Sequence, residues 1–190
     1  MHESQQSWQR LIVIVYFFCL PVWAKSYLAH AVFIADGDTV IVQEADGTEH
    51  KVRLVGIDAP EKEQHYGLAA KQHLQRVLGN KVLRVETQQN DVYGRELGTL
   101  WLNEDDVNLA QIQAGFAWHY RRFAAQQALA RRLSYASAET AARQAKLGLW
   151  QETNPTPPWD FRQQQRTQQA IHKQPWQAHF SWFYRWLPWY

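Results

Sequence analysis

Alternating apolar and polar residues mark the stretch 29–57, which is rich in β-branched side chains. Two Asp-Gly pairs, Asp36-Gly37 and Asp46-Gly47, divide this stretch into three parts. Alternation with a period of two is typical of strands, and Asp-Gly is a common sequence of tight turns between them. The pattern therefore predicts three strands joined by tight turns.

Helical spacing follows. Apolar residues recur at this spacing at Ala70, Leu74, Val77 and Leu78. Gly79 comes next, at the position where a C-terminal cap is usual. These residues predict one helix of about three turns.

Two more strand-like runs, 81–87 and 94–102, are separated by a turn at Asn90-Asp91. After them, Asp105 and Asp106 precede a stretch with helical spacing at 107, 110 and 114 that ends at Gly115. Acidic residues are favourable at a helix start and glycine at its end. The sheet thus has about five strands, and a second helix follows it.

A third helix is predicted from about Ala124 to Lys146, with Leu129, Leu133 and Ala136 on one face. We expect this leucine stripe, and Trp101 likewise, to pack in the core or against a helix. Five short strands interrupted by one helix and followed by two more favour a small closed barrel with helices outside it. The fold class is therefore α+β.

The two ends of the chain differ from the middle. Arg10 precedes the apolar run 11–20, and small or β-branched residues lead up to Ala24. This pattern predicts a signal peptide over 1–24 and export of the protein to the periplasm or the medium, with an uncleaved membrane anchor as the alternative. Cys19, the sole cysteine, lies inside this segment, so the mature chain needs no disulfide.

Residues 151–190 form a predicted C-terminal tail, so the main domain spans 25–150. The tail combines a proline-rich start, a glutamine-rich middle and an almost wholly aromatic end. One interpretation is a mostly disordered extension whose aromatic residues fold back on the barrel. The other is a weak contact with a membrane surface or a partner protein, because Trp and Tyr favour interfaces.

Composition narrows the function only slightly. The chain has 190 residues, of which 46% are hydrophobic and 20% charged, and this suits one well-buried domain. A formal net charge of +2 permits nucleic acid as a partner without requiring it. His65 and His73 have no Cys or His partner at a zinc-ligand spacing, so we expect no zinc site.

Acidic and basic residues cluster in three short segments, 36–39, 53–61 and 91–95. Asp36 and Asp38 are two residues apart, so in a strand both side chains would point to the same face. Their carboxylates can then converge on one point and hold a hard cation. The alternative to a functional role is a structural one for each segment. The segment 36–39 also suits a hairpin turn, and Pro60 would make 53–61 a rigid turn. In a straight strand the side chains of Arg53 and Asp58 would point to opposite faces. A bulge at Gly56 would bring them to one side.

The order of these motifs resembles the staphylococcal nuclease, or thermonuclease, family. The matching motifs are D-G-D-T at 36–39, R-x4-D-x-P-E at 53–61, Y-G-R at 93–95, N-L-A-x4-G-x-A at 108–117 and K-L-G-L-W at 146–150. The resemblance covers about residues 29–150. It implies a five-stranded OB-fold barrel with three packed helices, and a nuclease that cuts DNA, RNA or both.

The resemblance also implies a cofactor, calcium. Carried over by motif, Asp36, Asp58 and the carbonyl of Ala59 would bind the ion, with Asp38 close by or bound through water. The family has Thr in place of Ala59, a difference of little consequence if only the carbonyl is a ligand.

Three catalytic residues follow from the same resemblance. Glu61 would act as general base on an attacking water, directly or by orienting it, while Arg53 and Arg95 hold the phosphate. The family's products carry 3'-phosphate ends.

Three aromatic residues match substrate contacts of the family: Tyr93 to phosphate, and Trp118 and Tyr120 near the nucleotide. The residues do not distinguish DNA from RNA. We expect a monomeric, calcium-dependent endonuclease. The rival hypotheses are a non-catalytic OB-fold module that only binds nucleic acid, and an envelope adaptor that uses the tail.

Overall fold

The structure, a computed structural model, describes residues 25–173. The predicted signal segment 1–24 and the aromatic end of the tail lie outside the described residues. Within the described range, no helix is long and apolar enough to cross a membrane.

The main sheet of the described chain has six strands, and the five long ones form the barrel. They are β1 Lys25–Ile34, β2 Thr39–Gln43, β3 Glu49–Leu54, β5 Val82–Asn90 and β6 Glu96–Leu102. Their order is β3-β2-β1-β5-β6, and a parallel pairing of β3 with β6 closes the sheet. Three two-residue strands complete the set: β4 Ile57–Asp58, β7 Asp105–Asp106 and β8 Trp118–His119.

Closure of the sheet into a barrel confirms the predicted α+β, OB-fold class. The alternation that predicted strands also fills the interior, because one face of each strand points inward. Val40 and Val42 of β2 and Leu83 and Val85 of β5 are fully buried. The turns at both Asp-Gly pairs lie between strands, as predicted.

The first two helices lie where the pattern predicts them. The first, α1, spans Gly67–Leu78 and buries Ala70, Leu74 and Leu78, with Gly79 as its C-cap. The second, α2, spans Val107–Gln113. Asp106 is its N-cap, and the Asp106 carboxylate accepts a hydrogen bond from the Leu109 amide at 2.9 Å. The acids before this helix therefore satisfy its first backbone donors.

The third helix, α3, spans Leu129–Gln144, and its predicted start and buried face are wrong. Arg121–Gln126 form a 3-10 helix, so α3 begins later than Ala124. Leu129 and Leu133 are 59% and 60% exposed. The buried face consists of Tyr135, Glu139 and Ala142 instead.

Hydrogen bonds explain why this polar face is turned inward. The Tyr135 hydroxyl donates to both carboxylate oxygens of Asp106, at 3.0 and 2.8 Å. Glu139 accepts from the His119 amide at 3.2 Å. Trp101 is only half-buried and lies between the guanidinium groups of Arg84 and Arg131, the latter on α3. It thus packs against a helix, as one of the two predictions had it.

A fourth helix, α4, spans Pro158–Lys173. The prediction of a mostly disordered extension is therefore wrong for these residues. Pro158 is the first helical residue, where a missing amide donor costs nothing, and Asp160 is in the first turn. Glutamine has a good helix propensity, so the polar repeat that looked like low complexity continues the helix.

Candidate active site

The acidic loop 36–38 joins β1 to β2 and lies against α1 and α2. An added Cβ at Gly37 would lie 2.6 Å from the Cβ of Ala59 and 2.7 Å from that of Ala70. Gln111 of α2 donates to the Gly37 carbonyl at 2.6 Å and to the Ala70 carbonyl at 3.2 Å. The missing side chain and the buried amide together hold the loop close to Ala59.

Asp38 presents a buried carboxylate within this loop. Its Oδ2 accepts a hydrogen bond from the Ala59 amide at 2.6 Å and is paired with Arg53 Nη1 at 3.0 Å. Burial raises the pKa of the Asp38 carboxyl, and the carboxylates of Asp36 and Asp58 raise it further, against the opposing effects of Arg53 and the amide. Three acids therefore share one small region of negative potential. Asp36 Oδ1 also accepts from the Asp38 amide at 3.0 Å, so the loop is a turn as well as an acidic site.

A sharp turn after β3 brings Arg53 and Asp58 together. Gly56 has a φ of 75°, which side chains other than glycine rarely adopt, and it reverses the chain between β3 and β4. Arg53 Nη2 then lies 2.8 Å from Asp58 Oδ1. The chain bends at Gly56 through a turn rather than through the predicted β-bulge, and this bend brings the two side chains to one side.

Arg53 is held in one orientation. Its Nη1 donates to the carbonyls of Leu54 and Ile57, at 3.1 and 3.2 Å, in addition to its contact with Asp38. Its side chain is 14% exposed, and that of Asp58 is 1% exposed. A buried guanidinium with this many partners is preorganised, because little rotamer freedom is left to lose.

Glu61 lies just beyond Pro60, at the rim of the same cluster, and its side chain is 32% exposed. Its amide donates to Gln64 Oε1 at 2.8 Å, and its carbonyl accepts from the Gln64 amide at 2.9 Å. The Glu61 carbonyl also lies where a Cβ at Gly67 would clash. The short loop is therefore tightly folded, and it presents the carboxylate at the surface.

Arg162 of α4 joins this cluster, and the sequence analysis missed it. Its Nη2 lies 2.7 Å from Asp58 Oδ2, and its Nη1 lies 2.5 Å from Glu61 Oε1 and 3.2 Å from Asp58 Oδ1. Burial alone would lower the pKa of Arg162, but the hydrogen bonds and charges of the two carboxylates raise it above its usual range. The sequence signal that could have indicated this contact was Arg162 itself, which lies in a segment rich in good helix formers.

Arg95 lies apart from these ion pairs. Its Nε donates to Asp91 Oδ2 at 2.7 Å, and its backbone amide donates to Asp91 Oδ1 at 3.0 Å. The register of β3 and β6 pairs Arg53 with Leu97, two residues after Arg95. The β5–β6 turn is therefore next to the strand of Arg53. Tyr93 is 80% exposed in this turn, with the Arg95 guanidinium 5.5 Å from its ring centre.

An aromatic cluster lies beside the acidic cluster, because β8 pairs with β4 and places Trp118 opposite Asp58. The Trp118 ring lies 4.4 Å from that of Trp150 and 5.6 Å from that of Trp159 on α4. Trp159 is also 5.6 Å from the ring of Tyr120. Trp118 is 7% exposed, so its neighbours cover the ring predicted to contact the nucleotide.

The donor types at this site fit a hard dication. Carboxylates and a carbonyl are the ligands that calcium prefers, and Arg53 contacts both Asp38 and Asp58, so these two carboxylates lie close together. Among residues 25–173, however, no group of three or more His, Cys, Asp or Glu residues is arranged to hold a metal ion. In this conformation both oxygens of Asp58 contact guanidinium groups.

Comparison with known proteins places the chain among related sequences. A family model described as staphylococcal nuclease homologue matches residues 51–152. A protein named uncharacterized endonuclease from Escherichia coli is 33% identical over 151 residues, which cover 79% of this chain and 94% of that protein. Protein ParB of Escherichia coli is 37% identical over 153 residues, or 76% of this chain and 83% of the relative.

A plant relative has a similar identity over a smaller share of its own length. A staphylococcal-like nuclease of Arabidopsis thaliana is 34% identical over 140 residues, which are 72% of this chain and 42% of that protein. The family model covers more than half of the chain, and both bacterial relatives align over most of their own length. On this evidence, the chain belongs to the staphylococcal nuclease family.

Proposed function

We propose that the protein is a calcium-dependent endonuclease that hydrolyses phosphodiester bonds of DNA, RNA or both and leaves 3'-phosphate ends. The observation that carries this proposal is the cluster of Arg53, Asp38, Asp58 and Glu61 at one end of the barrel. Family membership and relatives named endonucleases support the reaction class.

Calcium would be held by Asp36, Asp58 and the Ala59 carbonyl, with Asp38 as a direct or water-mediated ligand. When bound, the ion would neutralise charge on the phosphate. Asp38 supports this assignment because a buried carboxylate beside two other acids is stabilised by a nearby cation. Gly37 and Gln111 serve the site by fixing the loop that carries the acids.

The remaining residues act on the water and the phosphate. Glu61, at the rim of the cluster, accepts the proton of the attacking water or orients that water. Arg53, which is already fixed by its neighbours, stabilises the charge that builds on the phosphoryl oxygens. Arg95 provides a second guanidinium from the adjacent turn, once its hydrogen bonds with Asp91 are exchanged for phosphate.

Substrate contacts would come from the aromatic side chains of Tyr93, Trp118 and Tyr120. Stacking and phosphate contacts tolerate any base and either sugar, so they are suited to a nuclease of broad specificity. We propose that the protein acts as a monomer and that its tail makes weak contacts with a membrane surface or another protein.

Export is also part of the proposal. Cleavage after Ala24 would leave Lys25, the first described residue of β1, as the first residue of the exported protein. The intact mass of the exported protein tests this directly. A mass that starts at Lys25 supports cleavage, and a mass that includes the apolar segment supports the uncleaved anchor.

The function is tested by incubating the purified protein with labelled DNA and labelled RNA, in calcium or in a calcium chelator. We expect cleavage in calcium, loss of cleavage in chelator, and products that a 3'-phosphatase can modify. The Glu61→Gln variant controls for a contaminating nuclease. Binding of both nucleic acids without cleavage by the wild type would favour the non-catalytic binding module instead.

A further inference from the structure

We infer that α4 is an autoinhibitory segment: Arg162 pairs with the proposed calcium ligand Asp58 and with the proposed base Glu61, and Trp159 covers the aromatic surface beside them. This inference rests on the proposed function, because it assigns the covered residues to calcium, water activation and nucleotide contact. Two side chains, three residues apart on one helix, thus meet two parts of the same site.

The Arg162 contact takes the place of a bound cation. Its guanidinium contacts both oxygens of Asp58 and one oxygen of Glu61 within 3.2 Å. Asp58 is buried and also pairs with Arg53. A calcium ligand must direct an oxygen lone pair at the ion, and guanidinium donors already use three of the roughly four lone-pair sites of Asp58. The positive charge of Arg162 also repels a dication at the remaining site. Arg162 and calcium therefore exclude each other at Asp58.

The same contact disables the base. Arg162 Nη1 donates a hydrogen bond to Glu61 Oε1 at 2.5 Å, so the oxygen that would accept the proton or orient the water is already engaged. Glu61 would have to leave Arg162 before it could take a proton from water. Docked α4 therefore opposes both metal binding and water activation.

Trp159 covers the neighbouring surface. Its ring packs at 71° to that of Trp118 and at 36° to that of Tyr120, with 5.6 Å between ring centres in each pair. These distances are typical of stacked and edge-to-face aromatic pairs. A nucleobase that stacks on either ring would displace Trp159, so substrate and α4 compete for the same surface.

The attachment of α4 is confined to its first turns. Trp159, Phe161 and Arg162 are partly buried, whereas residues 166–172 are all exposed. Pro155 and Pro157 precede the helix and Pro158 begins it, so α4 is not a continuation of the 3-10 helix at Gly148–Gln151. A helix held by one end can detach without unfolding the barrel.

Calcium titration by calorimetry tests the inference on the full chain, with Arg162→Gln as the key variant. Arg166→Gln is the matched control, because Arg166 is exposed one turn further along the same helix. If α4 is docked in about nine molecules of ten, Arg162→Gln should bind calcium about tenfold more tightly than the wild type. Arg166→Gln should bind calcium like the wild type, and Arg162→Lys should fall between the two.

Hydrogen exchange supplies a readout that does not depend on activity. In the wild type, calcium should reduce the protection of amides 158–173, and Arg162→Gln should lack that protection without calcium. Equal or weaker calcium binding by Arg162→Gln, or α4 protection that calcium leaves unchanged, would overturn autoinhibition. Absence of calcium binding in every variant would overturn autoinhibition and the proposed cofactor together, whereas equal binding with intact cleavage would overturn autoinhibition alone.

Discussion

The barrel end that carries Arg53 and the helix that carries Arg162 both place an arginine on Asp58, but they hold it in different ways. Arg53 is fixed by two carboxylates and two backbone carbonyls within the barrel, and its side chain is 14% exposed. Arg162 is 33% exposed, lies near one end of its helix, and contacts the buried carboxylate of Asp58 and the partly exposed carboxylate of Glu61. Because Arg53 is more buried and has more hydrogen-bond partners than Arg162, Arg53 is a permanent part of the site and Arg162 is an exchangeable one.

The largest effect should come from Arg53→Ala. The change removes a phosphate contact and also leaves two buried carboxylates without this partner. We expect cleavage to fall at least about a thousandfold, and the free energy of unfolding to fall by about 3–5 kcal/mol. Denaturant titration beside single-turnover cleavage measures both, and a variant of unchanged stability would show that the barrel does not need this arginine.

Arg95→Ala should separate catalysis from stability. Arg95 lies in a surface turn with Asp91 as its partner, and its loss leaves no buried carboxylate unpaired. Removal of one donor that stabilises transition-state charge commonly lowers turnover about a thousandfold, while nucleic-acid binding falls less. Single-turnover rates and binding titrations test this. Unchanged turnover in a folded variant would make Arg95 a structural residue of the turn.

Gly37→Ala should lower both the stability of the protein and its calcium affinity by disturbing the packing of the acidic loop. The new Cβ would press on Ala59 and Ala70, so we expect a loss of about 1–3 kcal/mol in the free energy of unfolding and weaker calcium binding. Gly47→Ala is the control for calcium affinity: with a φ of 89° the added Cβ should also cost stability through backbone strain, but it would meet nothing within 4 Å and should leave calcium binding unchanged. Both glycines precede β-strands, but only one touches the site. Calcium affinity that stays the same in Gly37→Ala would contradict the role given to this close packing.

The smallest effects concern α3, where two residues distinguish its faces. Tyr135→Phe loses a buried hydrogen bond to Asp106, which should cost about 1.5–3 kcal/mol. Leu133→Ala, on the exposed face, should change stability by less than about 0.5 kcal/mol. Thermal unfolding of both variants checks this. A larger loss from Leu133→Ala would mean that another surface covers this face.

The sequence was most informative where backbone rules decide the structure. Alternation and Asp-Gly turns predicted the barrel strands, and Gly79 predicted the end of α1, because these features act within a few residues. The motif resemblance likewise identified Arg53, Asp58 and Glu61, and folding brings all three together with Asp38.

The missed features depend on distant partners. Leu129 and Leu133 formed the better apolar stripe, but Asp106 and the His119 amide pair with the opposite face of α3. Gln111 looked like an ordinary helix residue, although it binds the Gly37 carbonyl across the fold. A periodic pattern does not contain such long-range hydrogen bonds.

The same limit applies to α4, whose place is set by Asp58 and by the aromatic cluster. One interpretation of the tail had its aromatic residues fold back on the barrel, and Trp159 does so. The glutamine-rich repeat has little apolar content, so its pattern gave no reason to expect a helix or the contact of Arg162. Trp159 and Arg162 supply that contact through one aromatic ring and one charge. Isolated anchors of this kind are invisible to periodicity.

The division of labour between calcium binding and water activation is the central claim, and one paired measurement tests it. Calcium titration by calorimetry is combined with single-turnover cleavage for Asp58→Asn and Glu61→Gln. Glu61→Gln should retain calcium affinity and lose about 10²–10⁴ in rate, because Gln cannot accept the proton of water. Asp58→Asn should weaken calcium binding itself. Equal loss of calcium affinity in both variants would contradict the account.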